Sequence, residues 1–205
     1  MKHPPALAAL AASALLLTGC GLLPNTDTSP DSNTDAADDI LGSPTSDPDD
    51  DFQSLQVSMV AEAGTFPDGV DGVTFGCSDT LVTINTVPIQ AETSEEHVGD
   101  AVDFLLTDSQ YNHGDPAVIN SLTPSETLTL ESVETERDAV TVELSGDVVT
   151  RSDCETYRVQ AQLYGTAALT AGVSDVSITV EGTELNDVLG VEPFDTKELF
   201  SDDAD

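Results

Sequence analysis

A break in composition near Leu55 confines the foldable part of this chain to the residues after it. From Gly21 to about Ser54 the sequence is rich in Asp, Ser, Thr and Pro, includes the block Asp47-Pro48-Asp49-Asp50-Asp51, and carries no Lys or Arg. Ordering a backbone costs about 1–2 kcal/mol per residue, and too few apolar side chains lie here to offset it. The segment therefore reads as a solvated linker, averaging roughly 30–35 Å end to end as a random coil. Its Asp block lacks the central Gly and terminal Glu of an EF-hand loop, so a calcium site is not expected there.

Before the linker, an apolar run from Ala6 to Leu17 comes after a short start carrying Lys2. It is roughly half the length that a membrane-spanning helix requires, and fits the h-region of a signal peptide. The run ends in Leu17-Thr18-Gly19-Cys20, which resembles the lipobox of bacterial lipoproteins. That likeness implies cleavage before Cys20 and lipidation of its thiol. Two acyl chains would give stable anchoring, each buried methylene adding about 0.8 kcal/mol. The expected organisation is a signal peptide over 1–19, a lipidated cysteine and linker over 20–54, a folded domain over 55–190, and an acidic C-terminal tail over 191–205.

The charge is one-sided: 39 Asp and Glu stand against 5 Lys and Arg, a formal net charge of −34. Such a surface repels nucleic acid and anionic lipid headgroups, so neither is expected as a direct ligand. Solubility, salt tolerance, loose cation capture or docking to a basic protein would all suit it. If Cys20 carries lipid, Cys77 and Cys154 remain, and two such cysteines in an exported protein usually pair. A reactive thiol or a metal site stays open as an alternative. Neither His97 nor His113 shows metal-ligand spacing to either cysteine, so no metal is assigned.

Within the folded part, Leu55, Val57, Met59 and Ala61 alternate with more polar residues, predicting a strand. Gly64 to Gly76 has turn chemistry, and Thr80 to Gln90 reads as a second strand. Thr93-Ser94-Glu95-Glu96 opens a helix whose apolar positions are Val98, Ala101, Val102, Leu105 and Leu106. Tyr111 to Leu122 reads as a loop with a short apolar turn. Thr127–Glu134 and Ala139–Ser145 predict a hairpin. A second helix begins after Asp153, with Tyr157, Ala161, Tyr164, Ala168 and Ala171 on one face and Gly172 placed to stop it. Val176 to Val180 is the last strand. The expected architecture is α+β: strand, strand, helix, strand, strand, helix, strand, forming a single sheet of about five strands with two helices packed on one face.

That order, with these residues, resembles the GerMN domain of sporulation and spore-germination proteins. The likeness spans Leu55 to Leu189. It rests on Gly76-Cys77-Ser78-Asp79 with Leu81-Val82, on Ala101-Val102-Asp103-Phe104-Leu105-Leu106, and on Val140 through Gly146. Cys154, Arg158, Ala161-Gln162-Leu163, Thr166-Ala167, Val173 through Val180 and Gly182 complete it. The resemblance implies a non-catalytic interaction module at the cell envelope, and a disulfide between Cys77 and Cys154 as in a lipoprotein subset of the family. The polar, irregular Tyr111–Leu122 segment departs from the pattern, so a partner surface there would differ.

No nucleophile elbow, Walker A or dinucleotide fingerprint occurs. His97 sits in a helix opening and His113 in a Gly-Asp-Pro turn, where capping or exposure explains them better than a triad would. Carboxylates close enough for glycoside hydrolysis are expected by chance among 39 acids, and the chain has no Trp for sugar stacking. No catalytic residue and no cofactor is assigned. Arg158, Gln162 and Thr166, four apart, form a polar ridge on the second helix. Either the ridge is an interaction surface, or Arg158 pairs with carboxylates while Gln162 and Thr166 satisfy nearby backbone; the second is favoured. The reading is a lipoprotein held by Cys20 to the outer face of the cell membrane, binding an exported envelope protein. The alternative is a lipoprotein that captures a small ligand or cation.

Overall fold

The computed structural model describes residues 52–66 and 71–201. The expected signal peptide, the expected lipidation site Cys20 and the expected linker as far as residue 51 lie outside the described residues. Strand β1 (Phe52–Ala61) runs antiparallel to β3 (Asp79–Gln90), with Phe52 opposite Gln90 and Ala61 opposite Thr80. The short β2 (Val73–Phe75) pairs with the start of β3. Beyond β3, α1 (Ser94–Thr107) begins at Thr93, whose hydroxyl accepts the Glu96 N–H at 3.1 Å. Asn112–His113 (β4) and Val118–Ile119 (β5) form a small hairpin, and Ile119 pairs with Val60. The five strands make one sheet in the order β2-β3-β1-β5-β4.

A second sheet comes next in the chain. Strands β6 (Thr129–Thr135) and β7 (Ala139–Ser145) form the expected hairpin. After α2 (Asp153–Ala171), strand β8 (Asp175–Val180) returns parallel to β7, and the two-residue β9 (Thr183–Glu184) closes the order β6-β7-β8-β9. A short α3 (Leu185–Leu189) and a 3-10 turn (Thr196–Phe200) end the described chain.

Two sheets replace the single sheet expected from the sequence, and the reason lies in α2. From Val159 through Ala168 every residue of that helix is buried. A helix buried on all sides cannot lie on one face of one sheet. Here α2 touches β1 and β3 of the first sheet and β7 and β8 of the second, while α1 packs on α2 and touches β1 and β6. One core joins them: Val57 and Met59 from β1, Val98 and Leu105 from α1, Leu163 from α2, Val142 and Ile178 from the second sheet. The Tyr111–Leu122 segment, read as a loop, supplies two more strands because Ile119 docks in a satellite cluster with Val60, Leu81 and Ala161.

These directions give the domain two poles. The chain enters at Phe52, beside the end of β3 and the start of α1. At the opposite pole lie the end of β1, the start of β3, the end of β7 and the first turn of α2.

Candidate functional site

Helix α2 carries the residues that the sequence offered for function, and its start is fixed by local chemistry. Ser152 caps it by accepting the Glu155 N–H at 3.2 Å, and Glu155 reaches back to the Arg151 N–H. Gly172, at φ 69°, stops it in the left-handed conformation that a C-terminal cap favours. One residue into the first turn, Cys154 forms a disulfide with Cys77 in the turn between β2 and β3, with Cα atoms 5.6 Å apart. Gly76 precedes that cysteine at φ 47°, and a side chain there would come within 2.8 Å of the Tyr157 Cβ. Glycine is therefore required for the turn to lie against the helix.

Arg158 is fastened one turn further along. Its Nε donates to Asp79 Oδ2 at 2.6 Å, and its Nη1 lies 2.7 Å from Glu62 Oε1. The second Asp79 oxygen accepts the Ala63 N–H at 2.9 Å, so this nearly inaccessible carboxylate is bonded on both sides. Burial works against the Arg158 charge, but the hydrogen bond to Asp79 and the charges of Asp79 and Glu62 outweigh it and raise its pKa. Nearby, burial and the Glu62 charge push the Tyr111 phenol above its ordinary value.

Gln162 and Thr166 are fully buried. The Gln162 amide donates to Ser58 O at 3.2 Å and to Ile119 O at 3.4 Å, while its oxygen accepts the Ser121 N–H at 2.8 Å. The Thr166 hydroxyl accepts the Ser58 N–H at 2.9 Å, and Thr170 donates to Gln56 O at 2.9 Å. Strand β1 pairs with β5 only at Val60, so along Gln56–Ser58 these side chains occupy the hydrogen-bonding edge that a neighbouring strand would take. The row is turned inward, and the reading of Arg158, Gln162 and Thr166 as an interaction ridge is corrected: an interface requires accessible atoms, and these atoms hold the helix to the sheet. Thr170 was missed although it continues the same four-residue spacing. Gly165 lies beside this row, and an added Cβ there would lie 2.6 Å from Ser58 Oγ.

The two histidines are not brought together. His113 Nε2 contacts Asp108 Oδ2 at 2.7 Å and Gln110 O at 3.0 Å, just beyond the C-terminus of α1. His97 sits near the opposite end of that helix, in an open hollow with Gln53, Glu92 and Thr170. Among the described residues no group of three or more His, Cys, Asp or Glu could hold a metal ion, and no helix is long and apolar enough to cross a membrane.

The segment from Val191, read as the start of an acidic tail, instead runs along α2. Gln160 donates to Asn186 Oδ1 at 2.7 Å and to Glu192 O at 2.6 Å, and Thr196 bonds Ser174 O at 2.5 Å. The Phe194 ring meets Phe75 edge-on at 6.4 Å and lies the same distance from Tyr164. A lone Phe among acids carries no period, so pattern reading had nothing to find.

With this geometry in place, comparison with known proteins gives one match. Residues 66–186, more than half of the chain, match the Germane family, described as sporulation and spore germination. No curated protein and no solved structure matches.

Proposed function

This chain belongs to the Germane family of sporulation and spore germination, and on that premise we propose that it is a lipid-anchored, non-catalytic interaction module on the outer face of the cell membrane. Cys20 carries the anchor, and the partner is another exported protein of the envelope. One observation supports the non-catalytic reading above others. The polar row Arg158, Gln162, Thr166 and Thr170 is engaged with Asp79, Glu62 and the β1 backbone. The cysteines complement it: Cys77 and Cys154 close a disulfide, which suits an oxidising, exported location.

The test begins at the N-terminus. Intact-mass analysis of membrane-extracted protein is expected to show a chain starting at Cys20 with two or more acyl groups, and Cys20→Ala is expected to release the protein from the membrane fraction. An unacylated, uncleaved chain would end the anchoring half of the reading. Turnover of cell-wall fragments by the purified protein, lost on replacing His97 or His113, would end the non-catalytic half.

A further inference from the structure

The turn between β2 and β3 is fastened to α2 twice, by bonds of different chemistry. Phe75 pairs with Asp79, so Gly76, Cys77 and Ser78 form the loop of a hairpin and Cys77 stands at its tip. Its neighbours Gly76 and Ser78 both lie in the left-handed region, at φ 47° and 66°. Cys77 is exposed, whereas its disulfide partner Cys154 is half-buried. Arg158, four residues and about one helical turn beyond Cys154, bonds Asp79, which is two residues beyond Cys77. The disulfide and this ion pair therefore tie the same two elements together side by side. Asp79 is held on its other oxygen by the Ala63 N–H.

We propose that Cys77–Cys154 is a thiol–disulfide exchange site, opened by an exported dithiol protein and kept ready to close by the Asp79–Arg158 pair. A disulfide breaks by attack of a thiolate on one of its sulfurs, and access helps decide which one. Here the thiolate attacks Cys77 Sγ at the exposed tip. A new disulfide joins the dithiol protein to Cys77, the Cys77–Cys154 bond breaks, and its electron pair leaves on Cys154, which takes a proton from water. The second thiol of the dithiol protein, as a thiolate, then attacks its own sulfur in the mixed disulfide and releases Cys77. The chain has gained two electrons and two protons, and the dithiol has become a disulfide. Opening leaves Asp79 held by Arg158 and by the Ala63 N–H, so only Gly76–Ser78 is released from its place against Tyr157. Groups held at the right separation react at a high effective concentration. The two thiols therefore close again when the oxidised form of the same partner runs these steps in reverse. The chemistry is independent of the lipid anchor, and its setting alone rests on the exported reading.

The test begins with the purified full-length chain in the absence of denaturant. The probe is mercaptoethanol, an uncharged monothiol, because Asp153 and Glu155 flank Cys154 and would repel an anionic one. After alkylation and digestion, the mixed disulfide is expected on Cys77 about tenfold more often than on Cys154. Dithiothreitol is expected to reduce the bond with the far-ultraviolet circular dichroism unchanged. The disulfide of mercaptoethanol is then expected to close it about tenfold faster than in concentrated urea. Asp79→Asn, or Arg158→Lys where that chain does not fold, is expected to slow closure about tenfold. In cells, Cys154→Ser is expected to trap an exported Cys-x-x-Cys protein on Cys77, and Cys77→Ser to trap it about tenfold less. Adducts shared equally or found on Cys154, a bond that opens only in urea, dichroism lost on reduction, or closure that neither variant slows overturns the exchange site. So does a Cys154→Ser chain that reaches the membrane fraction and traps nothing. An unacylated, cytosolic chain that still gives the Cys77 adduct keeps the exchange chemistry and removes the exported reading.

Discussion

Helices α1 and α2 lie side by side, yet the sequence describes only one of them well. In α1 the buried residues Val98, Ala101, Val102 and Leu105 form a single stripe, and Glu96, Asp100 and Asp103 face away from it. A stripe of that kind specifies one packing direction. In α2 the buried run from Val159 to Ala168 includes Gln160, Gln162, Gly165 and Thr166, so polarity no longer marks the outside. The lesson is that an amphipathic helix announces its partner surface, while a helix lined with small and amide side chains hides a second one. Both helices touch both sheets, but α1 does so through one buried stripe, whereas α2 is buried on every side from Val159 to Ala168.

That contrast can be broken by experiment, beginning where α2 is pinned most firmly. The Cys77–Cys154 disulfide spans a sequence separation of 77. In the chain-entropy account, replacing both cysteines by serine is expected to cost about 4 kcal/mol, read as a lower urea midpoint. An unchanged midpoint would mean that the bridge leaves α2 and the unfolded chain unconstrained. Next is Gln162→Leu, which strands the Ser121 N–H and the Ser58 and Ile119 carbonyls in the interior. About 3 kcal/mol is expected, with faster amide exchange at Ser121. A smaller cost, about 2 kcal/mol, is expected for Gly165→Val, because its side chain would press on Ser58 and Leu81.

The same measurements on α1 sharpen the comparison from the other side. Asp103→Ala on its solvent face is expected to change stability by less than about 0.5 kcal/mol; a loss matching Gln162→Leu would erase the distinction between the helices. The smallest effect concerns Glu95 in the first turn of α1, which accepts a hydrogen bond from the Thr135 hydroxyl of β6. That bond, foremost among several, lowers its pKa from the ordinary 4.5. A depressed carboxylate stabilises the folded state above its unfolded pKa, and the contribution fades as pH falls through the folded value. Glu95→Gln is therefore expected to flatten slightly the loss of melting temperature below about pH 4.5, and equal slopes for the two proteins would exclude the contact.

Much of the local structure was legible. Thr93 and Gly172 cap the helices where their chemistry requires, Ala139–Ser145 is a strand as its alternation indicates, and Cys77 and Cys154 pair. The spacing of Arg158, Gln162 and Thr166 was visible, and so was the favoured reading that backbone groups take them up. Which backbone they meet was not visible, because Ser58 is 104 residues from Gln162 in the chain. Asp79 and Glu62 as the Arg158 partners were equally hidden among so many acids. Tyr157, placed by periodicity on the buried face of α2, is 37% exposed because the buried positions of the opening turns are Glu155, Thr156, Val159 and Gln160 instead.

By itself the sequence determined the long strands and the two long helices with their starts and stops, while the Tyr111–Leu122 segment and the segment from Val191 escaped it. What it determined arises from side chains acting on backbone within a few residues, through caps, periodicity and charge. Only the tertiary structure decided that the strands divide into two sheets, that α2 serves as a surrogate neighbour for β1, and that Phe194 brings the C-terminal segment onto the core. Those outcomes depend on which strand edges and helix faces are still unpaired once the local elements exist. That is a competition among distant surfaces, and no local pattern records its winner.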